Sequence, residues 1–269
     1  VGAPSDPSSL DPALAYDRAS WQILATTGGG LVAFRREGGR AGAEMVPMLA
    51  REIPRPTAGG RRLVFHLRPG VRFGPPSGRL VRPSDVKASI ERLFRLGSPG
   101  RGLYRGITGA SAFERTRRGG IAGIVADDGA RTVEFRLTRA DGGILAALAL
   151  PFAYVVPAEW DDLGLDRPPA SIGPYYVRGY RRGSFVDLAR SGLYSPTAAL
   201  PAGRLDGVLV RIGLDAGESI TRIEDGALDA TQSAVTPRAT AGRGVLTRAS
   251  LEPTTHALVL DTRRSSASE

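Results

Sequence analysis

The run from Leu63 to Leu93, LVFHLRPGVRFGPPSGRLVRPSDVKASIERL, constrains this chain more than any other segment. Leu63, Phe65 and Leu67 alternate with Val64, His66 and Arg68, which predicts a strand with one packed face and one polar face. Pro69-Gly70 turns the chain, and Val71 and Phe73 resume the alternation, so a hairpin is expected here. Pro83-Ser84-Asp85 then opens a helix whose Val86, Ile90, Leu93 and Phe94 fall at i, i+4, i+7 and i+8 on one stripe, with Ser84 as the expected N-cap. Two periodicities in such close succession point to a mixed α/β unit in which a helix packs on a sheet.

The rest of the chain carries the same alternation of elements. Helices are expected around Ala19–Thr26, Ala110–Arg117, Gly143–Leu150 and Ala216–Gly226, and strands at Thr132–Leu137, Tyr175–Tyr180, Ser184–Ala189 and Gly207–Ile212. Asp161–Pro169 reads as a loop. No internal repeat interrupts the pattern. A chain of 269 residues with 42% apolar content is long enough for a sizeable core.

A net charge of +9 invites a nucleic-acid reading. Of the 36 basic residues, however, only Lys87 is lysine, and asparagine is absent, which is the bias a GC-rich genome imposes on an ordinary surface. The arginines are dispersed and are not interleaved with aromatics as a single-strand groove requires, so no nucleic-acid partner is expected. With no cysteine, disulfides, thiolate catalysis and cysteine-based metal sites are excluded. No apolar run approaches the roughly 20 residues needed to span a bilayer. No signal segment is expected within these residues, and membrane attachment is expected only through an anchor outside them.

Three motifs suggest chemistry and fail on context. Gly28-Gly29-Gly30-Leu31-Val32-Ala33 fits a dinucleotide fingerprint, but Gly38-Gly39 interrupts the helix such a motif needs, and the stretch reads as a flexible turn. Ser84-x-x-Lys87 fits the nucleophile motif of penicillin-binding enzymes, whose partner elements cannot exist without asparagine and a second lysine. His66 and His256 have no metal-ligand spacing and no nucleophile elbow accompanies them. The chain is therefore expected to be a non-enzyme with no metal and no cofactor.

The opening strand-to-helix run resembles the first lobe of the solute-binding proteins of peptide-type ABC importers, the dipeptide/oligopeptide/nickel-binding family 5. The likeness extends through Ser9-Leu10-Asp11-Pro12-Ala13, where the family's first strand runs into the ligand cleft, and through Arg105–Ala110, Thr132–Leu137 and Leu148–Phe152. It continues at Ser171-Ile172-Gly173-Pro174-Tyr175-Tyr176-Val177, at Arg222–Asp229, and at His256–Thr262, which is similar to the strand leaving the first lobe. The resemblance implies a periplasmic-binding-protein-like type II lobe in which residues 1–42 plus 171–269 form a larger subdomain and residues 43–170 a smaller inserted one. The polar end Arg263–Glu269 carries no apolar period, so the second lobe is expected to be missing from this chain.

That likeness implies capture of an extracytoplasmic solute, a peptide or similar molecule, for an ABC permease. Alternatives from the same likeness are the ligand-sensing module of a regulatory protein, or a remnant that binds nothing. Tyr16, Asp17, Ser20 and Trp21 lie where the first strand meets a helix, a place suited to binding groups on a rigid scaffold. Asp17 is also a natural helix N-cap, and Trp21 a natural core residue. Gln232 and Ser233 follow the acidic turn at Asp229, whose family counterpart lines the cleft. Tyr104, a loop aromatic of the inserted subdomain, completes the candidate set. Two departures from the family's pattern stand out. No aromatic follows Asp229, and Arg190-Ser191-Gly192-Leu193-Tyr194 replaces the usual Arg-Asn-Pro-x-Tyr.

Overall fold

A computed structural model describes residues 1–37, 39–160 and 167–232. In chain order the elements are β1 (Gly2–Ala3), α1 (Arg18–Thr27), β2 (Val32–Phe34), β3 (Met45–Pro47), β4 (Arg62–His66), α2 (Pro83–Arg95), α3 (Ala110–Thr116), β5 (Ile124–Asp127), β6 (Thr132–Arg136), α4 (Ile144–Ala149), β7 (Tyr175–Arg181), β8 (Phe185–Arg190), β9 (Gly207–Ile212) and α5 (Ala216–Glu224). They form a mixed α/β structure with sheets ordered β4-β6-β5 and β1-β9-β8-β7 and a hairpin of β2 with β3. The expected strand at His256–Thr262 lies outside the described residues.

Helix α2 forms for the reasons its pattern suggests. Pro83 occupies the first turn, where its missing N–H costs nothing. Val86, Ile90, Leu93 and Phe94 are all at most 1% exposed, each stabilising the fold by roughly 1.5–3 kcal/mol through burial. The N-cap is Arg82, not Ser84. Ser84 is the second residue of the helix, and its hydroxyl donates to Asp128 at 2.8 Å. Asp85 does the capping work. Its buried carboxylate accepts from Arg82 N–H at 2.8 Å, from Ala158 N–H at 2.9 Å, and from both terminal nitrogens of Arg79. Arg79 also pairs with Glu159 and lies 4.9 Å from the Phe73 ring centre, so the first turn of α2 is tied to the chain at residues 158–159.

The hairpin expected at Pro69-Gly70 does not form. Strand β4 pairs antiparallel with β6, placing Leu63 opposite Phe135 and Phe65 opposite Val133 on the buried face. Arg72 instead bridges to Leu80 across a wide turn. The chain after Phe73 runs into Pro75-Pro76, which has no N–H groups to extend a ladder, while β6 offers five consecutive partners. Strand β5, which the sequence did not announce, completes this sheet.

The other sheet is closed by the start of the chain. Strand β1 pairs parallel with β9, and Gly2 N–H reaches Ala230 O at 2.9 Å. Asp6 accepts from Tyr180 Oη at 2.9 Å and from Gly183 N–H, fastening the first residues to the β7–β8 turn. Ala3, Leu10 and Ile23 then pack with Tyr175, Val186, Leu188, Val210 and Ile212. The larger core gathers β4, β6, α2 and their neighbours, and takes in Leu31, Val32 and Ile172 as well.

The three glycines at 28–30 are a packed passage and not a loose turn. A Cβ on Gly28 would lie 2.3 Å from the Tyr154 ring, and one on Gly29 2.1 Å from the Met48 methyl. Gly173 is similarly enforced, since its Cβ would lie 2.3 Å from Thr26 O where Ile172 and Gly173 N–H groups bond Thr27 O at the end of α1.

Candidate functional site

The segment from Ser8 to Trp21 is built by side chains turning back on their own backbone. Ser9 Oγ accepts from Asp11 N–H at 3.0 Å, and Asp11 Oδ1 accepts from Ala13 N–H at 2.9 Å. The Asp11 carbonyl takes the N–H groups of Leu14 and Ala15. With Pro12 fixing the backbone between them, these bonds make a turn where a first strand was expected. Asp11 Oδ1 also receives Arg92 Nη1 of α2 at 2.6 Å, in a pair whose side chains are 8% and 6% exposed.

Asp17 caps α1. Its Oδ1 accepts from Ser20 N–H at 2.9 Å and its Oδ2 from Ser8 N–H at 3.1 Å, and the hydroxyls of Ser8 and Ser20 donate to Oδ2 as well. Partial burial pushes the Asp17 carboxyl up, but the hydrogen bonds from Ser20 and Ser8 together outweigh it and hold the group below its ordinary value. Ser20 is fully buried and also accepts from Ser9 N–H at 3.2 Å. Trp21 Nε1 donates to Ala15 O at 3.0 Å. Every side-chain polar group of Asp17, Ser20 and Trp21 is thus used to hold the turn against the helix.

Tyr16 is different. It is 69% exposed, and its ring stacks on Phe152 at 5.9 Å between centres, with Trp21 edge-on to Tyr16 at 6.4 Å and to Phe152 at 5.6 Å. Phe152 itself is 3% exposed. An outward ring backed by two fixed rings offers an apolar, planar contact surface that loses little conformational entropy on binding. Phe152 was not among the expected site residues. Its sequence signals are its place after Pro151 at the end of an apolar helix and the family likeness over Leu148–Phe152, and neither tells which ring it will meet.

Tyr104 is a core residue, which corrects the expectation that it faces a ligand. It is fully buried, its hydroxyl donates to Ala147 O of α4 at 2.7 Å, and burial pushes its ionisation well up. Gln232 is half-buried beside β1, where its N–H bonds Gly2 O at 2.8 Å. Neither Tyr104 nor Gln232 makes a ring contact or hydrogen bond with the cluster around Tyr16. Ser233 lies outside the described residues.

The motifs discounted as catalytic occupy structural places. The Ser84 hydroxyl is engaged by Asp128, and Lys87 Nζ lies 3.9 Å from Glu91, one turn along α2. Among the described residues no group of three His, Cys, Asp or Glu side chains could hold a metal ion. No helix among them is long and apolar enough to cross a membrane.

Residues 44–266 match the family model described as bacterial extracellular solute-binding proteins, family 5 Middle. The peptide transport periplasmic protein SapA of Salmonella typhimurium is 32% identical over 141 residues, 47% of this chain and 25% of the relative. A dipeptide-binding protein of Escherichia coli is 30% identical over 162 residues, 53% of this chain and 28% of the relative. Among solved structures, the clavulanic acid biosynthesis oligopeptide binding protein 2 superposes with a TM-score of 0.72 at 26% identity, covering 85% of this chain and 42% of that one. The chain thus spans between a quarter and a third of the length of these two curated relatives.

Proposed function

Since the chain belongs to the bacterial extracellular solute-binding proteins of family 5, we propose that it takes part in capturing an extracytoplasmic peptide or similar solute for an ABC permease, without catalysing a reaction. The observation that carries this reading is Tyr16, a ring 69% exposed on an otherwise immobilised aromatic base. In this reading Tyr16 contacts the ligand, Trp21 and Phe152 support it, and Asp17 and Ser20 hold the turn in place. Peptide main chain would be read by strand-like hydrogen bonds, leaving side chains to roomy pockets.

The relatives are longer than this chain, and we assign these residues one wall of a two-sided cleft that closes on its ligand. A ligand shifts such an equilibrium only by its differential affinity for the closed state. We also propose the division into residues 1–42 with 171–269 and an inserted 43–170. The pairing of β1 with β9 supports the first grouping, and the β2–β3 hairpin would form the seam.

Calorimetry of the intact protein against a pool of di- to pentapeptides tests this reading, with Tyr16→Ala beside the wild type. Saturable binding that Tyr16→Ala weakens by about tenfold supports it, that being about 1.4 kcal/mol of ring contact. Peptide binding untouched by Tyr16→Ala would move the site elsewhere, and no binding of any peptide would remove the peptide assignment.

A further inference from the structure

A cavity of about 340 Å³ opens at the amino end of α2, far in character from the aromatic cluster. Its charged lining is Arg72, Arg79, Arg82, Arg131 and a single carboxylate, Asp128. We propose that this cavity is a binding site for a phosphate or phosphomonoester group.

The wall's own pairings leave it cationic. Arg79 is neutralised from behind by Asp85 and Glu159. Both Asp128 oxygens are turned onto Ser84, one accepting its N–H and the other its hydroxyl, each at 2.8 Å. Arg72 spends one nitrogen on Gly78 O at 3.1 Å. Arg72, Arg82 and Arg131 therefore line the space against one carboxylate already engaged, with Glu159 also acting on Arg82, and the surround keeps a net positive charge.

Arg131 supplies two further observations. Its Nη2 donates to Arg68 O, but its Nε is shielded from solvent and has no hydrogen-bond partner. A guanidinium N–H withdrawn from water and left unmatched is a cost of the site, and it is not the nitrogen that a ligand in the cavity would reach. The backbone at Arg131 is also left-handed, with φ of 58°, a conformation that favours glycine or asparagine. That conformation belongs to the turn between β5 and β6, where Asp127 accepts from Ala130 N–H at 2.8 Å, and it sets Arg131 on the cavity wall. Guanidinium forks match the oxygens of phosphate in pairs, which an ammonium does not. The volume exceeds that of inorganic phosphate, leaving room for a substituent on one oxygen. The group could come from a soluble phosphate or from a phosphomonoester lipid headgroup.

The test titrates the intact protein with inorganic phosphate at constant ionic strength, read by calorimetry. Arg82→Gln and Arg131→Asn serve as variants, each checked by its melting curve. The expected result is saturable binding that each variant weakens by about tenfold or more. Cosedimentation with phosphatidic acid vesicles, against phosphatidylcholine alone, separates the sources. Association that free phosphate competes away assigns the lipid, whereas phosphate binding without association assigns the soluble ion. Absence of saturation together with absence of vesicle association overturns the site, and so does binding that both variants leave unchanged. Peptide binding at Tyr16 has no part in any of these readouts.

Discussion

The sheet β4-β6-β5 draws its strands from residues 62–136, whereas the sheet β1-β9-β8-β7 joins Gly2–Ala3 to strands at Tyr175–Ile212. In the first, Phe65, Val133 and Phe135 are fully buried beneath the equally buried Leu93 and Phe94 of α2. In the second, the core is smaller, and Tyr175 and Ile212 keep 8% and 9% exposure. The longest closure in the first joins Arg62 to Arg136, and in the second Gly2 to Arg211, nearly three times as far along the chain. The second closes only when the two distant segments meet, so it carries the larger loop-closure cost for less apolar burial. The contrast makes the first sheet the stability centre of the molecule and the second the more easily opened part.

The largest effects test that contrast directly. Phe135→Ala removes a ring from the tight core and should cost about 3–5 kcal/mol in urea denaturation. Val186→Ala, a smaller deletion at the heart of the other sheet, should cost less, and equal losses would break the contrast. Arg92→Met probes the tie between the two regions, because Asp11 comes from the first residues and Arg92 from α2. Leaving Asp11 buried without that partner should cost about 3–5 kcal/mol, part of which the further change Asp11→Asn should restore.

Smaller effects sharpen it. Gly173→Ala places a methyl against Thr26 O and should cost about 1–3 kcal/mol, whereas Gly102→Ala, which meets nothing, should stay within about 0.5 kcal/mol. Glu134 on β6 is held down to about 2 from 4.5 by hydrogen bonds from Arg62 and Arg136. Its folded value lies below the unfolded one, so its contribution is complete above pH 4.5 and is lost as pH falls toward 2. Glu134→Gln should therefore flatten the acid limb of a stability–pH curve, by no more than about 1 kcal/mol for a pair this near the surface. Tyr16→Ala should leave stability within about 0.5 kcal/mol, since the ring is outside both cores. A larger loss would make Tyr16 a packing residue and weaken its assignment to a ligand.

The unequal legibility of the two sheets follows from the same geometry. The stripe of α2 and the alternation in β7, β8 and β9 announced those elements within a residue or two of where they lie. Strand β2 went unannounced because Val32–Phe34 offers three residues, too few to display a period. In the site, Asp17 was visible both as a cap and as a ligand group, and the hydrogen bonds from Ser8 and Ser20 favour the cap. Tyr104 reads as a loop aromatic, yet the short turn Pro99–Tyr104 packs against α4 and takes it inside.

Periodicity in the chain was enough to settle that it folds as mixed α/β and which faces of α2 and β4 are buried, because each of those depends on residues close together. The family likeness rests instead on particular motifs spread along the chain. Choice of partner was settled only in three dimensions. Nothing in Leu63–Leu67 distinguishes a ladder with Val71 from one with Val133, and the decision rests on where the chain can bring five matching N–H and C=O groups at once. The same holds for Asp11 with Arg92, Arg131 with the cavity at α2, and Phe152 beneath Tyr16. Each joins residues far apart in sequence, and no local pattern records which distant side chain will arrive.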